Sequence, residues 1–254
     1  MPPRPAGPPE ALTPRPDRGR IVEGHRPVRL ADVGPRGRLR LDAAARYAQD
    51  LAADDSRDAA LPDAEAWVVR RTVIEVWRAP RYLERLALAT WCSGTGSHYA
   101  ERRVEIVGED GGRVEVAGVW VHLDRQSGRP IRLAEGFAAL YEPSTLGRRI
   151  KARLRHGEPP ASATERWPWP LRVTDIDLLG HVNNAAAWEI VEEVLAARPQ
   201  LRAPLRAELE HRTAIEPGAA VEVVVADDED GAVALWALVD GAVAVSATVA
   251  AMPG

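Results

Sequence analysis

The chain is predicted to be an α+β protein in which one unit, a long helix followed by antiparallel strands, occurs twice. Three observations predict it. Runs rich in Val, Ile, Trp and Thr dominate the 254 residues, a composition suited to pleated, half-buried surfaces. Each half opens on a segment with apolar residues at helical spacing, LDAAARYAQDLAADD in the first and NNAAAWEIVEEVLAARP in the second. The order of elements then repeats at roughly half the chain length: ADVGPRG…AAARYAQDLA lies over TDIDLLGHVNNAAAWEIVEEVL, and RRTVIEVW over EHRTAIEP. A single helix must bury its apolar stripe on the sheet. Two such units can pair their sheets edge to edge and cover exposed strand edges. The architecture expected is the tandem, or double, hotdog, two long helices wrapped by a continuous antiparallel β-sheet. An α+β sandwich of another topology is the alternative for the same pattern.

Taken in order, residues 1–20 are Pro/Arg-rich with few large apolar groups, so a disordered arm is expected. Residues 21–143 form the N-terminal hotdog. IVEGHRPVRL reads as a strand, VGPRG as a turn, and the helix follows with Leu41, Ala44, Ala45, Ala48 and Leu51 on one face. AWVVRRTVIEVW, ERLALATWCSG, SHYAERRVEIV and RVEVAGVWVHLD read as strands, with GEDGG closing a hairpin. Residues 144–166 are expected to be a basic helix running into a Pro/Ala/Ser linker. Residues 167–254 form the C-terminal hotdog: strand WPLRVTDID, a helix beginning near Asn183, then strands RAELEHRTAI, AAVEVVVADD, AVALWALVD and AVAVSATVAA.

Composition excludes several classes. With 46% hydrophobic and 28% charged residues and a net charge of −4, nothing draws the whole chain to nucleic acid or membrane. One cysteine, Cys92, excludes an internal disulfide and fits a reducing compartment. No run of about 18 apolar residues is present and no secretory signal opens the chain, so a cytoplasmic location is expected.

The stretches WVVRRTVIEV, TWCSGTGSHYAERRVEIV, GVWVHLDRQSGRPIRL and DIDLLGHVNNAAAWEIVEE resemble the acyl-ACP thioesterases of plant plastids and bacteria over about residues 26–250. The segment around Asp177, His181, Val182, Asn183 and Asn184 carries most of that resemblance. It implies a double hotdog that hydrolyses the thioester between a fatty acyl chain and acyl carrier protein, with no metal and no cofactor. It further implies catalytic roles for Asp177 and His181, and a homodimer is compatible with it. The sequence departs from the plant pattern at three positions: Leu179 stands where an Asn is found, and Ala214 and Ile215 where a Glu-Cys pair is found. Glu216 lies next door, and a shift of one residue in a strand changes the face occupied.

Thioester hydrolysis needs an activated water and donors for the developing oxyanion. Asp177 would hold or polarise water, with His181 orienting the carboxylate or donating to the carbonyl. A helix start exposes backbone N–H groups, so Val182, Asn183 and Asn184 are the expected oxyanion donors. The first half has Gly34 opposite Asp177 and no His in DVGPRG, so one catalytic centre is expected, in the second half, with the first half shaping an acyl tunnel. Structural roles compete throughout. Asp175 or Asp177 could cap a helix or close a turn, and Asn183 and Asn184 could satisfy turn donors. Glu192 is expected to be an exposed solvating carboxylate, and Cys92 a small buried filler. His98, His122 and His211 show no metal-ligand spacing. Carrier protein is acidic, so the basic run 147–156, with Arg148, Arg149 and Lys151, is the expected docking site. An acyl-CoA thioesterase and a non-catalytic acyl-binding protein on the same scaffold are the alternative functions.

Overall fold

A computed structural model describes residues 11–60, 67–124 and 126–253. Its centre is one ten-stranded antiparallel sheet. The strands are β1 (Ile21–Pro27), β2 (Trp67–Arg78), β3 (Arg85–Thr95), β4 (Tyr99–Gly108), β5 (Arg113–His122), β6 (Glu165–Trp169), β7 (Leu205–His211), β8 (Val221–Asp227), β9 (Val233–Val239) and β10 (Ala242–Ala251). Their spatial order is β1-β3-β4-β5-β2-β7-β10-β9-β8-β6. The order is a palindrome of roles: each half contributes five strands in the same internal sequence, and the halves meet at β2 and β7. There Arg71 faces Glu210 and Val76 faces Leu205 in an antiparallel ladder. The edge-to-edge joint expected of a double hotdog is therefore this central pair, and it removes one exposed edge from each half.

Two helices lie on one face of the sheet, α1 (Leu41–Asp58) and α3 (Ala187–Ala196), with α2 (Glu135–Thr145) between them in sequence. α1 buries Leu41, Ala44, Tyr47, Ala48 and Leu51; α3 buries Trp188, Ile190, Val191, Val194 and Leu195. Both stripes enter one apolar cluster with the inward residues of the strands, among them Ile74, Ile106, Val116, Leu209 and Val223. Alternation along the strands sends the other residues to the opposite face. On β7, Ala207 and Leu209 join the core while Glu208 and Glu210 point away from it.

Three sequence expectations change. Residues 1–10 of the expected arm lie outside the described residues, but residues 11–20 are packed on the fold. Thr13 C=O accepts from Arg103 Nε at 3.0 Å and Arg20 Nε reaches Asp55 at 2.6 Å. Gly19, with φ +88°, passes so close to α2 that a Cβ would lie 2.4 Å from Ser144 N. Second, α2 ends at Leu146 and Gly147, both with positive φ, and the basic run after it is extended rather than helical. Its backbone is claimed elsewhere: Arg148 C=O accepts Thr95 N of β3 at 3.2 Å, Ile150 N donates to Thr95 C=O at 3.1 Å, and Arg155 N and His156 N donate to the Glu210 carboxylate at 2.6 and 3.0 Å. Third, α3 starts at Ala187, not near Asn183.

Candidate active site

The segment TDIDLLGHVNN folds as a miniature hairpin. Asp175, buried, accepts from Arg172 N at 2.8 Å and Arg172 Nε at 2.9 Å, and its own carbonyl accepts Asn183 N at 2.7 Å. Ile176 bridges to Val182. Asp177 N donates to His181 C=O at 2.9 Å and Gly180 N to Asp177 C=O at 3.0 Å, with Gly180 at φ +82°. That left-handed position favours glycine.

The first half builds the same hairpin at a constant spacing of 143 positions, Gly34 matching Asp177 and Arg38 matching His181. Gly34 N donates to Arg38 C=O, Gly37 N to Gly34 C=O, and Arg40 N to Asp32 C=O. The hairpin is thus a property of the fold. The side chains it presents are the property of the site.

Asp177 and His181 share only backbone contact. The Asp177 carboxylate accepts Leu179 N at 2.9 Å and Asn183 Nδ2 at 3.4 Å. The turn-closing role competing for Asp177 is therefore present in the structure. It leaves acceptor capacity unused, because a carboxylate offers about four lone pairs. His181 Nε2 lies 3.1 Å from Glu216 Oε1. The one-residue register shift expected to turn Glu216 to the other face of a strand does not apply, because β7 ends at His211 and Glu216 sits in the following loop, where strand alternation has no force. Ile215 is buried and its carbonyl accepts Val182 N, while Ala214 is exposed. Leu179 gives its N–H to Asp177, and its side chain is half exposed at the hairpin tip.

The expected oxyanion donors need correction. Val182 N is bonded to Ile215 C=O at 3.0 Å and Asn183 N to Asp175 C=O at 2.7 Å. Asn183 Oδ1 takes Ala185 N at 2.8 Å, and its carbonyl takes Ala186 N, which holds the turn leading into α3. Among the described residues, Asn184 N alone of the three has no acceptor. Asn184 lines a cleft between the two long helices and the sheet, with Gln49 and Ala48 of α1, Thr72 of β2, Trp120 of β5 and Trp188 of α3. Its volume is about 30 Å³, room for one or two waters. The cleft exists because α1 presents Ala45, Ala48 and Ala52 there, and because Gly118 yields space to Trp120: a Cβ on Gly118 would lie 2.8 Å from the indole nitrogen. Asp177, His181 and Glu216 do not line it.

Glu192 is no solvating carboxylate. Its side chain is 12% exposed, accepts Leu41 N at 2.7 Å, and forms a two-pronged pair with Arg38 at 3.0 and 2.7 Å. Cys92 is buried, and burial pushes its thiol up to about 11, which keeps it protonated and poorly nucleophilic. His156, Glu208 and Glu210 bring potential metal-ligand atoms within 4.8 Å of one another on the outer face of the sheet. Those groups already have partners: Glu210 takes two backbone N–H groups, His156 Nδ1 meets Ser246 Oγ at 3.1 Å, and Arg71 flanks Glu208 at 3.6 Å.

The basic run turns round the end of β3 onto the outer face. Arg148 reaches Glu101 and the Ser93 carbonyl, Arg149 reaches Thr95 Oγ1 at 3.2 Å, and Lys151 is exposed. In the extended chain Arg149, Lys151 and Arg153 point outward and Arg148 inward.

Residues 22–141 match the acyl-ACP thioesterase N-terminal domain and residues 158–246 the acyl-ACP thioesterase C-terminal domain. The chain belongs to the acyl-ACP thioesterase family. Two uncharacterized proteins of Mycobacterium tuberculosis, from strains CDC 1551 and H37Rv, are each 35% identical to it over 209 residues, 82% of this chain and 83% of theirs. The fold is similar to that of the 12:0-ACP thioesterase from Umbellularia californica, with TM-score 0.76, 16% identity and coverage of 92% of this chain and 98% of that one. It is also similar to an acyl-ACP thioesterase from Bacteroides thetaiotaomicron, with TM-score 0.67, 18% identity and coverage of 90% and 96%. The double hotdog is thus the fold of this acyl-ACP thioesterase family member, and thioester hydrolysis is the chemistry of its class. Among the described residues no helix is long and apolar enough to cross a membrane.

Proposed function

We propose that the chain hydrolyses fatty acyl thioesters of acyl carrier protein, with Asp177 holding the attacking water and Asn184 N–H receiving the carbonyl oxygen. One observation carries this reading. Of two hairpins with the same backbone bonds, only the second presents an acid and a base, Asp177 and His181 against Gly34 and Arg38. That hairpin also leads to the Asn184 amide, in the turn before α3, which has no acceptor among the described residues. Water adds to the thioester carbon, the C–S bond breaks, and the proton lost by water reaches the leaving thiolate by way of Asp177. The unpaired Asn184 amide dipole favours the transient negative charge. His181 pairs with Glu216 and would turn from it to support the Asp177 carboxylate during turnover.

For the carrier, the comb of Arg149, Lys151 and Arg153 is the proposed docking surface. Arg149 pairs with Thr95, Thr95 with Ala100, and Ala100 with Trp120 of the cleft. Three strand spacings separate Arg149 from Trp120, about 14 Å. An acidic carrier held there brings its acyl group to the cleft's end of the sheet.

The test compares turnover of matched acyl-ACP and acyl-CoA substrates across chain lengths, with Asp177→Asn and His181→Ala beside the wild type. Asp177→Asn is isosteric and is expected to abolish turnover with an unchanged melting point; His181→Ala is expected to cost about 10²-fold. Faster turnover of acyl-CoA would reassign the substrate. Binding of acyl-ACP without hydrolysis of any chain length would make the protein an acyl-binding one.

A further inference from the structure

The internal symmetry identifies a partner for Asn184 that the hairpin does not supply. In the first half the amide equivalent to Asn184 N–H is that of Leu41, and it is occupied: Glu192, from α3 of the other half, places Oε1 2.7 Å from it, held by Arg38. At the same 143-position spacing, the counterpart of Glu192 is Gln49 on α1. Gln49 and Asn184 line the same cleft. Glu192 thus crosses to the start of the first half's helix, and Gln49 crosses to the cleft that Asn184 lines ahead of α3. One crossing ends in a closed ion pair, the other in an open cleft.

We infer that Gln49, donated by the N-terminal hotdog, is a catalytic group of the C-terminal centre, facing the thioester across the cleft from Asn184 N–H. This inference rests on the proposed hydrolysis for the nature of the substrate. The neutral carboxamide is what keeps the centre open. An ionised carboxylate at this position would settle on the Asn184 amide as Glu192 settles on Leu41, because an unpaired backbone N–H bonds most strongly to a charged acceptor. A carboxamide has less attraction to that amide. It offers Oε1 to the attacking water and Nε2 to the carbonyl oxygen, whose second lone pair faces Asn184 N–H. The first half, with its amide filled by Glu192, is closed to substrate for the same reason. The alanines of α1 beside Gln49 leave the groove along which an acyl chain extends once it widens.

Gln49→Ala and Gln49→Glu test the inference against wild type and Asp177→Asn, with thermal midpoints confirming that each variant folds. Gln49→Ala is expected to lower kcat about 10-fold to 10²-fold with KM changed less than about threefold. Gln49→Glu is expected to lose turnover at neutral pH and to regain part of it on acidification, when the introduced carboxylate protonates and leaves the amide. A purely structural role would not produce that pH dependence. A readout independent of turnover is the backbone amide resonance of Asn184. In Gln49→Glu it should shift downfield and follow the titration of the new carboxylate, as Leu41 should follow loss of the charge in Glu192→Gln. If both Gln49 variants turn over at the wild-type rate and Asn184 does not titrate, the inference is overturned, while a silent Asp177→Asn would still uphold the proposed hydrolysis. If the wild type hydrolyses no acyl thioester, the proposed hydrolysis fails, and the Asn184 titration alone decides whether Gln49 faces that amide.

Discussion

Removing Glu192 should destabilise the protein by joining two losses at the contact between halves. Glu192→Ala deprives Leu41 N–H of its acceptor and Arg38 of its carboxylate. Leu41 is 2% exposed, so water does not readily replace that acceptor, and a buried unsatisfied donor costs about 1–3 kcal/mol. Arg38 is 27% exposed, so its pair is partly screened and contributes closer to about 1 kcal/mol. The sum is about 3 kcal/mol, which at 2–4 °C per kcal/mol for a chain of this size is a fall in Tm of about 9 °C. The assay is thermal and urea unfolding of Glu192→Ala, Arg38→Ala and the double variant. The cycle should show a coupling of about 1 kcal/mol, because the Arg38 contribution vanishes once Glu192 is absent. A Tm within 2 °C of wild type, or a coupling of zero, would refute the view that this pair locks one half to the other.

Two further outcomes follow from particular side chains. Burial beside Arg70 pulls His211 down to about 4 in the folded protein, below the usual 6.5 for an unfolded histidine. The unfolded chain then binds the proton first, so stability should be full above about pH 6.5, fall by at most about 3 kcal/mol toward pH 4, and flatten below. His211→Gln should lose that slope in urea unfolding curves, and an unchanged slope would assign it to other groups. Reversing Arg149, Lys151 and Arg153 to Glu should raise KM for acyl-ACP and flatten its salt dependence, leaving a small acyl thioester unaffected; equal losses on both substrates would make the run a support of the fold. Arg148 is left out of that variant because it reaches the buried Glu101.

The sequence by itself determined the doubled unit. Strand alternation and a helical stripe are local patterns, and a local pattern written twice is visible without coordinates. α1 and most strand positions follow from it, as does the asymmetry of Gly34 against Asp177. α2 went unseen because EGFAALYEPST holds an interior proline and no strong apolar stripe. The basic run misled because its Arg, Leu and Ala residues suit a helix. Its backbone donors are instead taken by β3 and by Glu210, acceptors from distant parts of the chain.

Only tertiary structure decided the rest of the site. Which amides remain available near Asn183 depended on Asp175 and Ile215 reaching two of them first. Glu216 meets His181 because a loop, not a strand, follows β7. Glu192 meets Arg38 across 154 positions of sequence, and Gln49 shares a cleft with Asn184 across a similar gap. A backbone amide carries no mark in the sequence of the acceptor it will find. That choice belongs to whichever group the packed halves bring within about 3 Å of it.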